Sequence, residues 1–252
     1  MSNSVELDVS ARGVATITLN RPERSNALDQ ATLDELAEQF AARAADDRTR
    51  VVVLRGRGRH FCAGADLVAR AAAAESARTS IVDMLAALDR LPKPTIAAVH
   101  GAAIGGGAAI AACCDVVLAA DSAFFSVPEV RIGMPPLGVA PFLVRAMGHR
   151  SLRRYGLSGE RFGAAEALRI GLVHEVVSAA KLDEKLGEIA DALLQGAPQA
   201  QRAVKAGLEH SVMPSVADIL AHGASHGSPR SAEALEGIAS FKEKRKPSWY
   251  PQ

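Results

Sequence analysis

The chain has 252 residues, 48% hydrophobic and 23% charged, the make-up of an ordinary globular protein able to bury one large core. Its 29 basic residues balance 28 acidic ones, and a net charge of +1 argues against a nucleic-acid groove or a polybasic membrane surface. No apolar run reaches membrane-spanning length, residues 1–10 carry Glu6 and Asp8 without an apolar core, and Cys62, Cys113 and Cys114 have no metal-type spacing; the expectation is a cytoplasmic protein with reduced, buried thiols and no signal peptide.

In chain order, Val5 to Val9 and Val14 to Leu19 alternate around Arg12-Gly13, the pattern of a β-hairpin. Asp29 stands at an N-cap position, and Leu33, Leu36 and Phe40 follow at helical spacing. A strand is expected at 51–55, then a single helix over the alanine-rich stretch 67–88, which Pro92 and Pro94 break. A strand at 95–99, a helix at 106–113, a strand at 116–119 and a short strand around 123–126 follow. Beyond residue 179 the pattern is helical, over 180–195, 198–209, 214–225 and 230–243. Strand–turn–helix recurs several times, which predicts an α/β core over residues 1–195 and a helical region over 196–252.

Two turns carry the chemistry. Phe61-Cys62-Ala63-Gly64-Ala65-Asp66-Leu67 follows the strand at 51–55, and Gly105-Gly106-Gly107 follows the strand at 95–99. Both are built of small residues and both lead into a helix. Turns of this kind bring two backbone N–H groups close to one ligand oxygen, and preorganised N–H donors are what a thioester carbonyl needs as it becomes an enolate. The start of the second helix adds its dipole. Taken alone, the glycine triplet fits tight helix–strand packing equally well; it is not a dinucleotide fingerprint, because Ile110 replaces the third glycine. His60 and His100 flank the turns, as structural histidines or as a further acid/base group. The remaining histidines show no ligand spacing, so no metal site is expected.

Five segments, in order and at compatible spacing, resemble the crotonase family, the enoyl-CoA hydratase/isomerase superfamily. They are Arg21-Pro22-Glu23-Arg24-Ser25-Asn26-Ala27-Leu28, Phe61 through Leu67, Gly101 through Gly107 with Cys114-Asp115, Phe125-Ser126-Val127-Pro128-Glu129 with Gly133, and Phe241 through Pro247. The resemblance spans essentially the whole chain. It implies a spiral of repeated β-β-α units followed by C-terminal helices, assembled as a trimer or hexamer. It implies an oxyanion hole from the N–H groups of Ala63 and Gly106, and a CoA site bordered by Arg24, Ser25, Ala27, Ala65, Asp66 and Leu67. Phe241 and Lys244 would reach the nucleotide of a neighbouring subunit, although the Lys242–Lys246 run by itself reads as a solvated helix end.

Of the two glutamates that the family's hydratases use, Glu129 is present and Ala109 stands where the other would be. One carboxylate suits hydration, if other groups hold the water, and equally suits Δ3-Δ2 enoyl-CoA isomerisation. The segments around Glu129–Gly133, Pro141-Phe142 and Arg153–Phe162 are similar to bacterial hydratases of branched glutaconyl-CoA thioesters. The resemblance therefore implies an enoyl-CoA hydratase first, an isomerase second, and a non-catalytic acyl-CoA binder third. Coenzyme A enters only as part of the substrate, and no other cofactor, nucleic acid or membrane partner is implied.

Overall fold

The structure, a computed structural model, describes residues 4–72, 79–209, 232–245 and 248. The hairpin forms as expected, from β1 (Val5–Val9) and β2 (Val14–Leu19), paired antiparallel. Asp29 caps α1 (Gln30–Ala45), its carboxylate accepting the N–H of Thr32. The next three strands are β3 (Val51–Gly56), β4 (Thr95–Val99) and β6 (Val116–Ala120). They extend β2 in parallel, and β9 (Glu175–Val177) closes the order β1-β2-β3-β4-β6-β9.

A parallel sheet covered on both faces has strands that are apolar throughout, and Val51-Val52-Val53-Leu54 is buried at every position. Alternate side chains serve two cores. Val52, Leu54, Ala97, Val99 and Val117 pack with α1, α3 (Ile81–Asp89), α4 (Gly106–Cys113) and α5 (Ala140–Ser158). Val51, Val53, Ile96, Ala98 and Leu118 pack under α7 (Leu182–Leu194), which follows α6 (Ala164–Arg169).

Three strands of the large sheet, β3, β4 and β6, turn a corner into a second, smaller layer. After β4 the chain bends at Gly101 into β5 (Ala102–Ile104); after β6 it bends at Asp121-Ser122 into β7 (Phe124–Ser126). β5 and β7 pair in parallel, and β8 (Phe162–Gly163) adds an antiparallel edge. After β3, Cys62 makes a parallel bridge to Ala103, so a third corner lies on the same stack. The result is a spiral of β-β-α turns, as the family resemblance implies.

Two expectations change. The stretch 67–88 is not a single helix: α2 (Leu67–Ala72) and α3 are separate, because Ser80 starts α3 with a capping box that it shares with Asp83. That Ser-x-x-Asp pattern is visible in the sequence and outweighs the helical bias of the alanines. Farther on, α8 (Pro198–Glu209) and α9 (Ala232–Lys242) match their expected spans closely, whereas the helix expected at 214–225 lies outside the described residues. No helix among the described residues is long and apolar enough to cross a membrane.

The corners are tied to the Arg21–Leu28 segment by Asn26, which is 1% exposed and holds a positive φ of 56°. Its amide nitrogen donates to the carbonyls of Arg57 (2.9 Å) and His60 (2.7 Å), and its Oδ1 accepts the Arg21 N–H (2.9 Å). Replacing Asn26 with alanine removes the partner of three backbone groups in part-buried hydrogen bonds. Asn26→Ala is expected to lose about 2–4 kcal/mol of stability, read as a lower midpoint in urea unfolding. A midpoint within error of the parent would show that Asn26 does not carry the corner.

Candidate active site

The two small-residue turns meet. Ile104 N–H donates to the Cys62 carbonyl (2.9 Å), and Cys62 N–H to the Ala102 carbonyl (3.0 Å). Gly64 has φ of +86°, and a Cβ there would lie 2.7 Å from the Ile104 carbonyl oxygen and 3.6 Å from the Gly106 nitrogen. Only glycine permits that approach. It places the first turn directly against the N-terminus of α4.

The donor within the first turn differs from the expectation. Ala63 N–H is taken by the Ser25 carbonyl at 3.0 Å, so it is not available to a ligand. Two residues on, Leu28 pairs with Ala65 in a parallel bridge, accepting the Asp66 N–H (2.9 Å) and donating to the Gly64 carbonyl (2.8 Å). In such a bridge the central residue's own N–H faces away from its partner. Ala65 lies on the cavity wall, and its N–H has no hydrogen bond among the described residues. Gly106, the first residue of α4, is likewise on the wall with a free N–H. Among the described residues, Ala65 and Gly106 thus each bring an unbonded N–H to the wall. The resemblance implied Ala63; the bond to the Ser25 carbonyl takes that N–H, and Ala65 is the alanine of the turn whose N–H is left unbonded.

These groups open into a cavity of about 1020 Å3. Arg24, Ala27, Ala63, Asp66 and Leu67 lie on its wall as expected, whereas Ser25 does not and serves through its carbonyl. Arg24 is exposed and has no ion partner among the described residues. Asp66 borders the cavity, but its carboxylate is already engaged. Burial opposes its charge, yet the Ala69 N–H and the Arg21 guanidinium together hold it below the ordinary value. The Asp66 carboxylate is thus engaged within the turn, and Arg24 lies on the wall nearby.

Glu129 starts the 3-10 turn that follows β7 and lies on the same wall. Its carboxylate rests against Gly105, where φ is +51° and an added Cβ would collide with Oε1. The other oxygen, Oε2, is buried without a hydrogen-bond partner. Burial pushes this carboxyl above the usual glutamate range, with its own backbone N–H pulling weakly the other way. Gly105 N–H donates to the Ser126 carbonyl (2.9 Å), which ties the glycine turn to the strand that precedes Glu129.

Ala109 is fully buried in α4 and off the cavity wall. Of the other carboxylates on the wall, Asp66 is bound to Arg21 and Asp83 caps α3, which leaves Glu129 as the one with an orphaned oxygen. His60 Nδ1 accepts the Ala102 N–H and His100 Nε2 contacts the Gly58 carbonyl; neither lines the cavity. Burial lowers the His60 pKa, helped by Arg59, His100 and Arg161. All three cysteines are free and buried, and burial pushes the Cys62 thiol up to about 12, which removes it as a nucleophile.

Phe241 lines the cavity of its own chain. The reason is local: α9 packs on the Glu129–Ile132 turn, with Gly237 so close to Ile132 that no Cβ would fit. Lys244 lies three residues beyond, exposed and off the wall.

Comparison with known proteins agrees with this geometry. The sequence model of the enoyl-CoA hydratase/isomerase family matches residues 10–252. The carnitinyl-CoA dehydratase of Proteus mirabilis is 35% identical, covering 98% of each chain, and the 2,3-dehydroadipyl-CoA hydratase of Escherichia coli is 35% identical, covering 94% of each. Among solved structures, an enoyl-CoA hydratase/isomerase from Pseudoalteromonas atlantica superposes with a TM-score of 0.86 at 31% identity, covering 98% of this chain and 100% of that one. The paired turns, the buried glutamate and the end-to-end match to the family model lead to one conclusion: the chain belongs to the enoyl-CoA hydratase/isomerase family and is an enzyme of it.

Proposed function

We propose that this enzyme adds water to an unsaturated acyl-CoA, with Glu129 as its single proton carrier. The observation that carries the reading is the buried, unpartnered Oε2 of Glu129, on the same wall as the free N–H groups of Ala65 and Gly106. The thioester oxygen sits between those two donors. Water attacks the β carbon and gives its proton to Glu129, while the negative charge gathers on the thioester oxygen as an enolate. Glu129 then returns a proton to the α carbon, so one water is consumed and the carboxylate is regenerated. A carboxyl whose pKa burial has raised suits both halves of this cycle. Relatives named for hydration and dehydration of acyl-CoA esters support the same direction.

The acyl end of the cavity is apolar, with Ile81, Val82, Met134, Leu137 and Val139 on its wall, and it suits a branched acyl group. Arg24 is placed for the CoA phosphates, and CoA takes part only as substrate. We also read the region 196–252 as the trimer-forming part of a cytoplasmic protein. Phe241 serves its own chain, so a contribution across subunits would fall to Lys244.

Among the described residues the cavity wall has no second free carboxylate, which favours one alternative, isomerisation. There Glu129 removes the α proton of a 3-enoyl-CoA and returns it to the γ carbon. Loss of enoyl absorbance from crotonyl-CoA identifies hydration, and its gain from a 3-enoyl-CoA identifies isomerisation. If neither absorbance changes, the catalytic reading fails in favour of a binder.

Glu129→Gln is expected to lower turnover by about 10²–10⁴-fold while acyl-CoA affinity, followed by calorimetry, stays close to that of the parent. Near-parental turnover would remove Glu129 from the mechanism. The pH profile gives an independent check. The base is the carboxylate, so kcat/KM should rise with pH through the raised pKa, with its acid limb centred above the ordinary glutamate value of 4.5. A limb at or below that value would contradict the buried-base assignment.

Lys244→Ala should weaken acyl-CoA binding in a salt-dependent way without changing the chemical step, and light scattering should find the parent as a trimer or larger. A parent monomer that binds tightly would contradict the assembly.

A further inference from the structure

Arg21 does not line the cavity itself, yet its side chain converges on both strands that hold the Ala65 donor. One guanidinium nitrogen, Nη1, donates to the Ala27 carbonyl. The other, Nη2, reaches Asp66 Oδ2 at 3.1 Å and Asp29 Oδ2 at 3.0 Å. Ala27 and Asp29 flank Leu28, and Asp66 follows Ala65, so the guanidinium straddles the Leu28–Ala65 bridge from both ends. The remaining oxygens are fixed in turn: Asp66 Oδ1 accepts the Ala69 N–H and Asp29 Oδ1 the Thr32 N–H. The three side chains are largely shielded, at 17%, 23% and 10% exposure for Arg21, Asp29 and Asp66.

We propose that Arg21 is the positioning residue of the oxyanion hole, a cross-tie whose guanidinium fixes the peptide plane of Ala65 against Gly106. The assignment rests on the oxyanion reading above. Gly64 has a left-handed backbone, and the peptides on either side of Ala65 are held by the two Leu28 hydrogen bonds. Arg21 sets those bonds by holding the residues next to both partners. Without the guanidinium, Asp29 and Asp66 face each other as two partly buried anions and push apart, opening the bridge. Lysine carries the charge but not the fork that reaches a carbonyl and two carboxylates together.

The test compares the parent with Arg21→Gln and Arg21→Lys. It reads kcat, KM and the thioester carbonyl stretch of a bound, isotope-labelled enoyl-CoA by difference Raman spectroscopy. Loss of one oxyanion donor costs about 10²–10³-fold in turnover, and a misdirected donor should cost part of that. Arg21→Gln is expected to lose about 10–100-fold in kcat with KM within about threefold, and to shift the carbonyl stretch back toward its value in water. Arg21→Lys should recover little of either. If Arg21→Gln does not fold, Asp66→Asn carries the same test from the other end of the pair. Where all variants fold, the double variant should be no slower than the slower single one, since both remove one interaction. A parent without any carbonyl shift would overturn the oxyanion reading itself. A shifted parent whose shift and kcat persist in Arg21→Gln would overturn only the role of Arg21.

Discussion

The site depends on a contact between two backbones. Gly64 lies against the Ile104 carbonyl and the Gly106 nitrogen with no room for a Cβ. Peptide dipoles act on a ligand oxygen only over a few ångströms, and two turns separated by side chains could not share one. The spiral supplies this contact by stacking its corners, so the turn after β3 lies directly on the turn after β5. Catalytic electrostatics of this kind are preorganised by the fold and need little rearrangement at the moment of reaction.

The same stacking explains why a carboxylate is tolerated without a partner. Glu129 is packed against Gly105, and Gly105 is bonded to Ser126 two residues before Pro128, so the acid cannot swing away to water. Its burial costs stability in the charged form, and that cost appears as a raised pKa. Stability given up at a reacting group is the expected trade in an active site. The surroundings offset it with satisfied networks, of which the bonds of Asn26 and the Arg21 cluster are the clearest.

Much of this was legible in the residues. Val51–Leu54 reads as a strand and Asp29 as a helix cap, and the two small-residue turns stand out in the sequence and meet in the structure. The Glu129 and Ala109 pattern pointed to one carboxylate. Long-range pairing was not legible. No local rule says that Ser25 will take the Ala63 N–H, so the donor was expected two residues too early. Arg21 and Asn26 looked like ordinary members of a motif, because their partners lie as far away as Asp66 and His60. That Phe241 lines the cavity of its own chain was not legible either, since sequence spacing does not reveal that Gly237 lets α9 sit on the Ile132 backbone. The short strands β8 and β9 carry too few residues for a periodicity and are defined by their neighbours.

The central claim is that paired N–H groups hold an enolate while Glu129 moves the proton that water provides. The most direct test is to incubate the enzyme with an enoyl-CoA in deuterium oxide and read the product by NMR. The account predicts a 3-hydroxyacyl-CoA with a single solvent deuteron on the α carbon. Recovery of a rearranged or unchanged enoyl-CoA, with no oxygen added at the β carbon across crotonyl and branched substrates, would contradict it.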